Sequence, residues 1–311
     1  MVAQEAMARP FNQTGIIRKN HHKVLLAVGA MILAGTVSMV WARKIEIANA
    51  KPLNVSKAMV ASKANLKGRV VWSGDIPKVE GFSAPISPLT EHLDKPKRHW
   101  MNPNIPKINS NNMGVGSAVV FLKHGPVAES FEFEPVRVIT NNFQLGIVQG
   151  GVDSQVGFVK TDGQFEILNM QDFFFSLRGR GDSFFSIPLA SRGKSYVRKL
   201  EKPGMVALSS GSGQFWMRSY LFSMQHPWIA RCDQDGNFEL HNVPEGKQEL
   251  IVWMPNWNIE DREIDAETWE ITRLEFFKPL QKVIRFEALS GMENQLATTR
   301  ISSNEFERLK K

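Results

Sequence analysis

HPWIARCDQDGNFELHNVPEGKQELIVW, residues 226–253, is the stretch from which the rest of the chain can be read. Asp233-Gln234-Asp235-Gly236 has turn chemistry: its carboxylates accept from nearby backbone N–H groups, and glycine supplies a positive φ. Phe238 and Leu240 then face one side of a strand, and Val243-Pro244-Glu245-Gly246 makes a second turn. In the next strand Leu250 and Val252 face one way, with Ile251 and Trp253 facing the other. A calcium loop of the EF-hand type needs glycine sixth and glutamate twelfth. Gly236 is fourth when Asp233 is counted first, so the hairpin-turn reading is preferred.

Working outward, the same texture recurs. Runs rich in Val, Ile, Phe and Trp (68–74, 117–123, 136–140, 155–161, 165–169, 195–201, 205–210, 215–222, 228–233, 238–243, 248–254, 267–277 and 282–288) alternate with Gly, Asn, Asp and Pro clusters. That is the pattern of an all-β sandwich protein. One long irregular stretch, Asp75 to Gly114, holds six prolines and is expected to wrap the surface. The last residues, from Asn304 to Lys311, read as a short charged helix or a frayed tail.

The chain has 311 residues and a net charge of +7, which taken whole suggests an anionic partner. Its distribution argues otherwise. Residues 1–70 hold eleven basic and two acidic side chains, and the remaining 241 hold 27 basic and 29 acidic. A nearly neutral body with no zinc, RRM or helix-turn-helix signature is not expected to bind nucleic acid. A single cysteine, Cys232, excludes an internal disulfide and thiolate-rich metal sites, and its expected role is a small half-buried hydrophobe.

From Val24 to Ala42 run nineteen uncharged residues, flanked by Lys19, His21, His22 and Lys23 on one side and by Arg43 and Lys44 on the other. They are long enough to cross a bilayer once. A cleaved signal peptide is the competing reading. The anchor is preferred because twenty-three residues precede the apolar run, long for a signal n-region. Basic residues on both flanks leave the orientation open by charge alone; a β-rich body, typical of exported proteins, favours a periplasmic or extracellular C-terminal region.

The run D-x-D-G-x-F-x-L-x-x-V-P-x-G-x-x-x-L-x-V-W, Asp233 to Trp253, resembles the closing half of the carboxypeptidase regulatory-like (transthyretin-like) β-sandwich. That fold also occurs as the fibronectin-III-like domain of rhamnogalacturonan lyases and in starch-binding-like modules. GRVVWSGDIP (68–77) and GSAVVFLK (116–123) are similar to its opening strands. The resemblance implies a seven-stranded accessory sandwich without catalytic residues. Between the two halves the chain resembles an inserted cupredoxin, as in the plastocyanin-like insertions of planctomycete-type envelope proteins and methylamine-utilisation-like proteins. It keeps Asn169, Lys202-Pro203-Gly204, Trp216-Met217 and His226-Pro227 of that pattern. The ligand positions differ. Asp172 to Ser176, including Phe175, stands near the first histidine position, and the cysteine and second histidine positions fall on Gly211 and Gln214.

A blue-copper centre needs a thiolate and two imidazoles, with methionine as a weak axial ligand. Cys232 lies fifteen residues beyond Met217, and no histidine occurs from Gly125 to Gln225. The resemblance therefore implies a vestigial copper pocket at Phe175, Gly211, Gln214 and Met217 and no cofactor. Phe173, Phe174, Phe175, Phe184 and Phe185 are expected to fill it or to serve as ordinary core.

Three further constellations have plain readings. Trp228, Trp253, Asn256 and Trp257 would make an aromatic platform for a sugar ring if exposed, or sandwich core if not. Glu260, Asp261, Glu263 and Asp265 form an acidic loop that is solvated by default, with calcium as the sharper alternative. Arg180-Gly181-Asp182 spells an adhesion tripeptide but reads as a hairpin turn. No nucleophile elbow, P-loop, GxGxxG or paired-carboxylate frame is present, so no enzyme is expected.

The expectation is an all-β body of two sandwiches behind one transmembrane helix: a basic segment (1–23), an anchor (24–42), a tether (43–65), a regulatory-like sandwich (66–124 plus 226–290), a cupredoxin-like Greek key (125–225) and a tail (291–311). Its expected role is non-catalytic binding or scaffolding in a cell envelope. The alternatives are a polysaccharide-binding accessory module and a copper electron carrier. Expected partners are the membrane and an envelope protein or polysaccharide.

Overall fold

The computed structural model describes residues 64–85, 97–190, 192–267 and 269–310. The basic segment and the anchor at 24–42 lie outside the described residues, as does most of the tether. Among the described residues no helix is long and apolar enough to cross a membrane.

The chain between these limits is mostly strand, arranged as four sheets in facing layers. The first layer has the order β16 (Asn237–Val243), β1 (Ala64–Trp72), β21 (Glu293–Gln295), with β22 (Thr299–Ile301) also paired to β1. The second runs β15 (Ile229–Arg231), β4 (Val119–Leu122), β17 (Gly246–Met254), β20 (Leu280–Ala288). The third runs β11 (Phe185–Leu189), β10 (Phe175–Gly181), β13 (Gly204–Ser210), β14 (Arg218–Met224), β8 (Val156–Lys160). The fourth runs β12 (Ser195–Lys199), β9 (Gln164–Asn169), β5 (Val136–Asn141), β6 (Gln144–Gln149), β7 (Val152–Ser154). Two hairpins stand apart, β2 (Phe82–Pro85) with β3 (Lys97–Trp100) and β18 (Ile259–Ile264) with β19 (Ile271–Phe276). A short helix, α1 (Ser303–Arg308), ends the described chain.

Side-chain alternation explains the layering. Leu250, Val252 and Met254 of β17 join Val120 and Leu122 of β4 in a core shared with Leu66, Val70, Phe238 and Leu240 of the first layer. Their neighbours Ile251 and Trp253, with Val119, point the other way and meet Val156, Phe158, Tyr220, Phe222 and Met224 of the third layer. Leu177, Val206, Leu208 and Leu221 then close a third core against Val138, Ile147, Phe165 and Ile167. A strand covered on both faces has no place for polar residues, hence the unbroken LIVWM at the end of β17.

The turn at 233–236 forms as its chemistry requires. Asp233 Oδ1 accepts from the backbone N–H of Asp235 (2.9 Å) and Asn237 (2.8 Å), and Asp235 Oδ1 accepts from Asn109 and Asn112 Nδ2. Gly236 has φ 80°, and a Cβ there would lie 2.0 Å from the Val70 carbonyl oxygen.

Several sequence expectations need correction. The tether ends earlier than expected, because Ala64 is already the buried first residue of β1. Residues 291–311 are not a tail: β21 and β22 pair in parallel with the two halves of β1, and Phe306 of α1 is fully buried against Trp257 and Trp72. The proline-rich stretch does more than wrap the surface. Asn102 and Asn104 are buried and donate to the carbonyls of Trp257 (3.0 Å) and Asn256 (2.7 Å), and Phe82 and Ala84 enter the core of the third and fourth layers.

Truncating Trp253 to alanine empties the space between the second and third layers and is expected to cost about 3–5 kcal/mol, read as a lowered urea midpoint. Gly236→Ala is expected to cost about 2 kcal/mol through forced left-handed backbone and the clash with Val70. An unchanged midpoint in either variant contradicts the packing described.

Candidate functional site

The four positions to which the resemblance assigns copper ligands do come together at one end of the third layer. Asn169, the last residue of β9, organises the approach. Its Oδ1 accepts from Thr140 Oγ1 (2.9 Å) and Gln171 N (3.0 Å), and its Nδ2 donates to the carbonyls of Phe173 (3.2 Å) and Leu189 (3.1 Å). The loop so held delivers Phe175, fully buried, to the start of β10. Opposite it, the backbone N–H of Gly211 donates to the Ser176 carbonyl (2.7 Å), and Ser212 Oγ accepts from Ser176 N (2.7 Å). Gln214 is buried with its Oε1 accepting from Ser210 Oγ (2.6 Å), and its carbonyl accepts from the N–H of Met217, which is also buried.

This donor set does not fit copper. It offers one thioether, one carboxamide already engaged through its oxygen, a phenyl ring and a glycine, and no thiolate or imidazole. Cys232 sits in the core between the first two layers, where burial and the neighbouring Asp233 push its thiol pKa up, away from the thiolate form. His226 is buried too, stacked on Trp228 at 5.4 Å. Among the described residues no three His, Cys, Asp or Glu side chains are grouped to hold a metal ion.

Aromatic rings occupy and roof this end of the sandwich. Trp216 stacks on Trp100 of β3 at 4.3 Å and 7°, Phe143 stacks on Phe173 at 5.0 Å, and Phe215 meets Phe82 of β2 edge-on at 5.4 Å. Trp216 Nε1 donates to the Phe143 carbonyl (2.8 Å), which fixes the indole plane. Asn142 and Phe143 both adopt positive φ, 46° and 59°, in the tight turn between β5 and β6. A phenylalanine held there stores strain that its stacking offsets. Of the phenylalanines expected to fill the pocket, Phe175 and Phe185 are buried and Phe173 stacks, while Phe174 and Phe184 are exposed.

The second hairpin closes the other side. Leu274 is buried in the same core, Arg218 Nη2 donates to its carbonyl (3.1 Å), and the Arg218 guanidinium lies over the Phe276 ring. The acidic residues expected in a loop are therefore largely strand: Glu260, Asp261 and Glu263 lie in β18, and Glu263 pairs with Arg273. Arg180 pairs with Glu275 (3.3 Å), and Asp182 accepts from the N–H of Met205 (2.7 Å), so both charged ends of the Arg-Gly-Asp tripeptide are engaged.

The tryptophan platform is not a surface. Trp228, Trp253, Asn256 and Trp257 are all buried: Trp228 Nε1 donates to the Asn242 carbonyl, Trp253 lies edge-on to Tyr220 and Phe222, and Asn256 Nδ2 donates to the Lys278 carbonyl. Among the described residues the exposed tryptophan is Trp269, 81% accessible at the tip of the second hairpin with φ 57°. It lines a pocket of about 150 Å³ with Lys97, Phe215 and Trp216. Beside it a groove of about 410 Å³ runs between the hairpin and Ser210 to Gly213, lined by Arg178, Glu263, Asp265, Glu267 and Thr272. Sequence reading merged residues 267–277 into one strand and so missed the tip; the polar run before Trp269 was the available signal.

No family model matches the chain, and no curated protein does. Distant structural likenesses to cupredoxins cover about a third of it. A purple cupredoxin from Nitrosopumilus maritimus is 11% identical over 29% of this chain and 99% of its own, at a TM-score of 0.23. An amicyanin mutant in its reduced form is 12% identical over 34% of this chain and 98% of its own, at 0.24. A Cu-containing nitrite reductase from Thermus scotoductus is 16% identical over 33% of this chain and 25% of its own, at 0.23.

Burial lowers the pKa of His226 from 6.5 to about 4. The unfolded chain thus binds the proton more tightly than the folded one, and stability falls as pH drops from about 6.5 towards 4, by on the order of 3 kcal/mol in all. His226→Phe is expected to flatten this slope between pH 6.5 and 5, above the ordinary carboxylate range. An equally steep slope in the variant would show that His226 is not its source.

Proposed function

We propose that this chain is a non-catalytic binding and scaffolding protein of a cell envelope, held to the membrane through residues 24–42 with its β-rich body on the extracytoplasmic side. In this reading a regulatory-like sandwich, built from the first two layers, contains an inserted cupredoxin-like sandwich that works without copper. One observation supports it over the copper-carrier alternative: at Phe175, Gly211, Gln214 and Met217 stand one thioether and no thiolate or imidazole, and stacked Trp100 and Trp216 lie beside them. A copper carrier needs a thiolate and two imidazoles at that point.

A polysaccharide-binding role is the second reading, and Trp269 favours it. An exposed indole beside a groove of mixed charged and hydroxyl side chains is the chemistry that holds a sugar ring, with the ring face on the indole and hydroxyls bonded to the polar wall.

The purified full-length chain in detergent separates the readings. After incubation with Cu(II) and dialysis it is expected to show no intense visible absorption and to retain no copper; a stoichiometric blue or purple species would establish the electron-carrier reading instead. On an array of plant and microbial polysaccharides, binding lost in Trp269→Ala supports the second reading, whereas silence across the array removes it and leaves an envelope protein as the partner class.

A further inference from the structure

β20 closes the second layer: β17 pairs with one of its edges, and no described strand pairs with the other. The direction of its backbone groups follows from the next strand over. The N–H of Lys123 donates to the Glu249 carbonyl (2.9 Å), so Glu249 and its alternate neighbours in β17 turn their backbone groups towards β4. Gln248, Leu250 and Val252 therefore turn theirs towards Phe286, Ile284 and Lys282. The N–H and C=O groups of Val283, Arg285 and Glu287 point away from the sheet, and none has a backbone partner among the described residues.

No other described edge is as long and regular. β7, β15, β21 and β22 have three residues each, β8 and β12 have five, β11 carries Pro188, and β16 bends at Asn242, φ 55°. β20 has nine residues with no proline and no positive φ. Its side chains are as unfinished as its backbone. Ile284 and Phe286 pack on the outer core but are only partly buried, and Val283 and Leu289 are 43% and 51% exposed. Glu287 is exposed and forms no ion pair with any described residue. Lys282, the charge that would guard the edge, is drawn back to the Arg300 carbonyl (2.7 Å) and Glu305 (2.8 Å).

We propose that the outer edge of β20 pairs with the same edge of a second copy of this chain, antiparallel about a two-fold axis, so that the second layers of two chains join in one sheet. Charge selects the register. A pairing centred on Arg285 opposes two guanidiniums, and one centred on Ile284 sets Lys282 against the partner's Phe286 and Glu287 against the partner's Gln281. Centred on Phe286, Arg285 meets the partner's Glu287 and Glu287 meets the partner's Arg285. The backbone agrees with this register. Arg285 and Glu287 carry outward-pointing groups, so each such pair exchanges both N–H···O bonds, while Phe286 takes the close, unbonded position on the axis. Val283 then lies opposite the partner's Leu289, and Ile284 opposite the partner's Ala288. Asn294 ends the ladder, because its side chain already bonds the Leu289 N–H (3.0 Å) and carbonyl (3.0 Å).

Sedimentation of the full-length chain in density-matched detergent, over about 1 to 100 µM, tests this. A monomer–dimer equilibrium is expected, and Glu287→Arg, which opposes guanidiniums across the axis, is expected to weaken it by roughly tenfold. A chain that stays monomeric throughout overturns the proposal, whatever other strand the edge accepts. So does a dimer that Glu287→Arg leaves unchanged, since association then runs through another surface such as residues 24–42. Cysteine cross-linking reads the register separately, with the native Cys232 buried. On mild oxidation Phe286→Cys is expected to give a covalent dimer and Ile284→Cys is not; the reverse pattern overturns the pairing centred on Phe286.

Discussion

The structure depends on the two-faced burial of β17. Leu250, Val252 and Met254 complete the core of the outer sandwich, and Ile251 and Trp253 complete the seam with the inserted one. A single nine-residue strand therefore belongs to two cores, and neither can be repacked without moving the other. Tyr220 and Phe222 meet Trp253 edge-on at 5.0 and 5.1 Å, a geometry that adds about 0.5–1.5 kcal/mol per pair to simple area burial. This is why the described residues from 64 to 310 form one compact unit although the chain order suggests two nested domains.

The same fusion shapes the candidate site. Both hairpins that cover the end of the inserted sandwich come from chain flanking it, β2–β3 before and β18–β19 after. Trp100 and Leu274 thus close a core to which neither is adjacent in sequence. That end offers a metal no thiolate or imidazole among the described residues, and the exposed chemistry lies outward in the groove beside Trp269.

Much of the architecture was legible because strand alternation is a local signal. The opposed faces of β17, the turn at Asp233 to Gly236 and the all-β character of the body follow from residue order alone, whereas its division into two sandwiches was expected only from the resemblance. The gathering of Phe175, Gly211, Gln214 and Met217 does not follow from residue order and was expected only from the cupredoxin resemblance. What escaped were long-range choices. Only the polar run before Trp269 marks a hairpin tip there, and tryptophans at 228, 253 and 257 look alike on paper whether they face solvent or core. Burial of Phe306 turned an apparent charged tail into part of the outer core, because one phenylalanine among Asn, Glu and Arg suffices to dock a helix of six residues. The polar pins at Asn102 and Asn104 were hidden for the opposite reason, since buried asparagines reveal themselves only through partners more than 150 residues away.

Calorimetry of the full-length chain tests this account most directly. If β17 welds the two sandwiches into one cooperative body, heat unfolds the β-rich region in a single transition whose van't Hoff and calorimetric enthalpies agree. Two resolved transitions, with the inserted sandwich melting apart from the outer one, would contradict it.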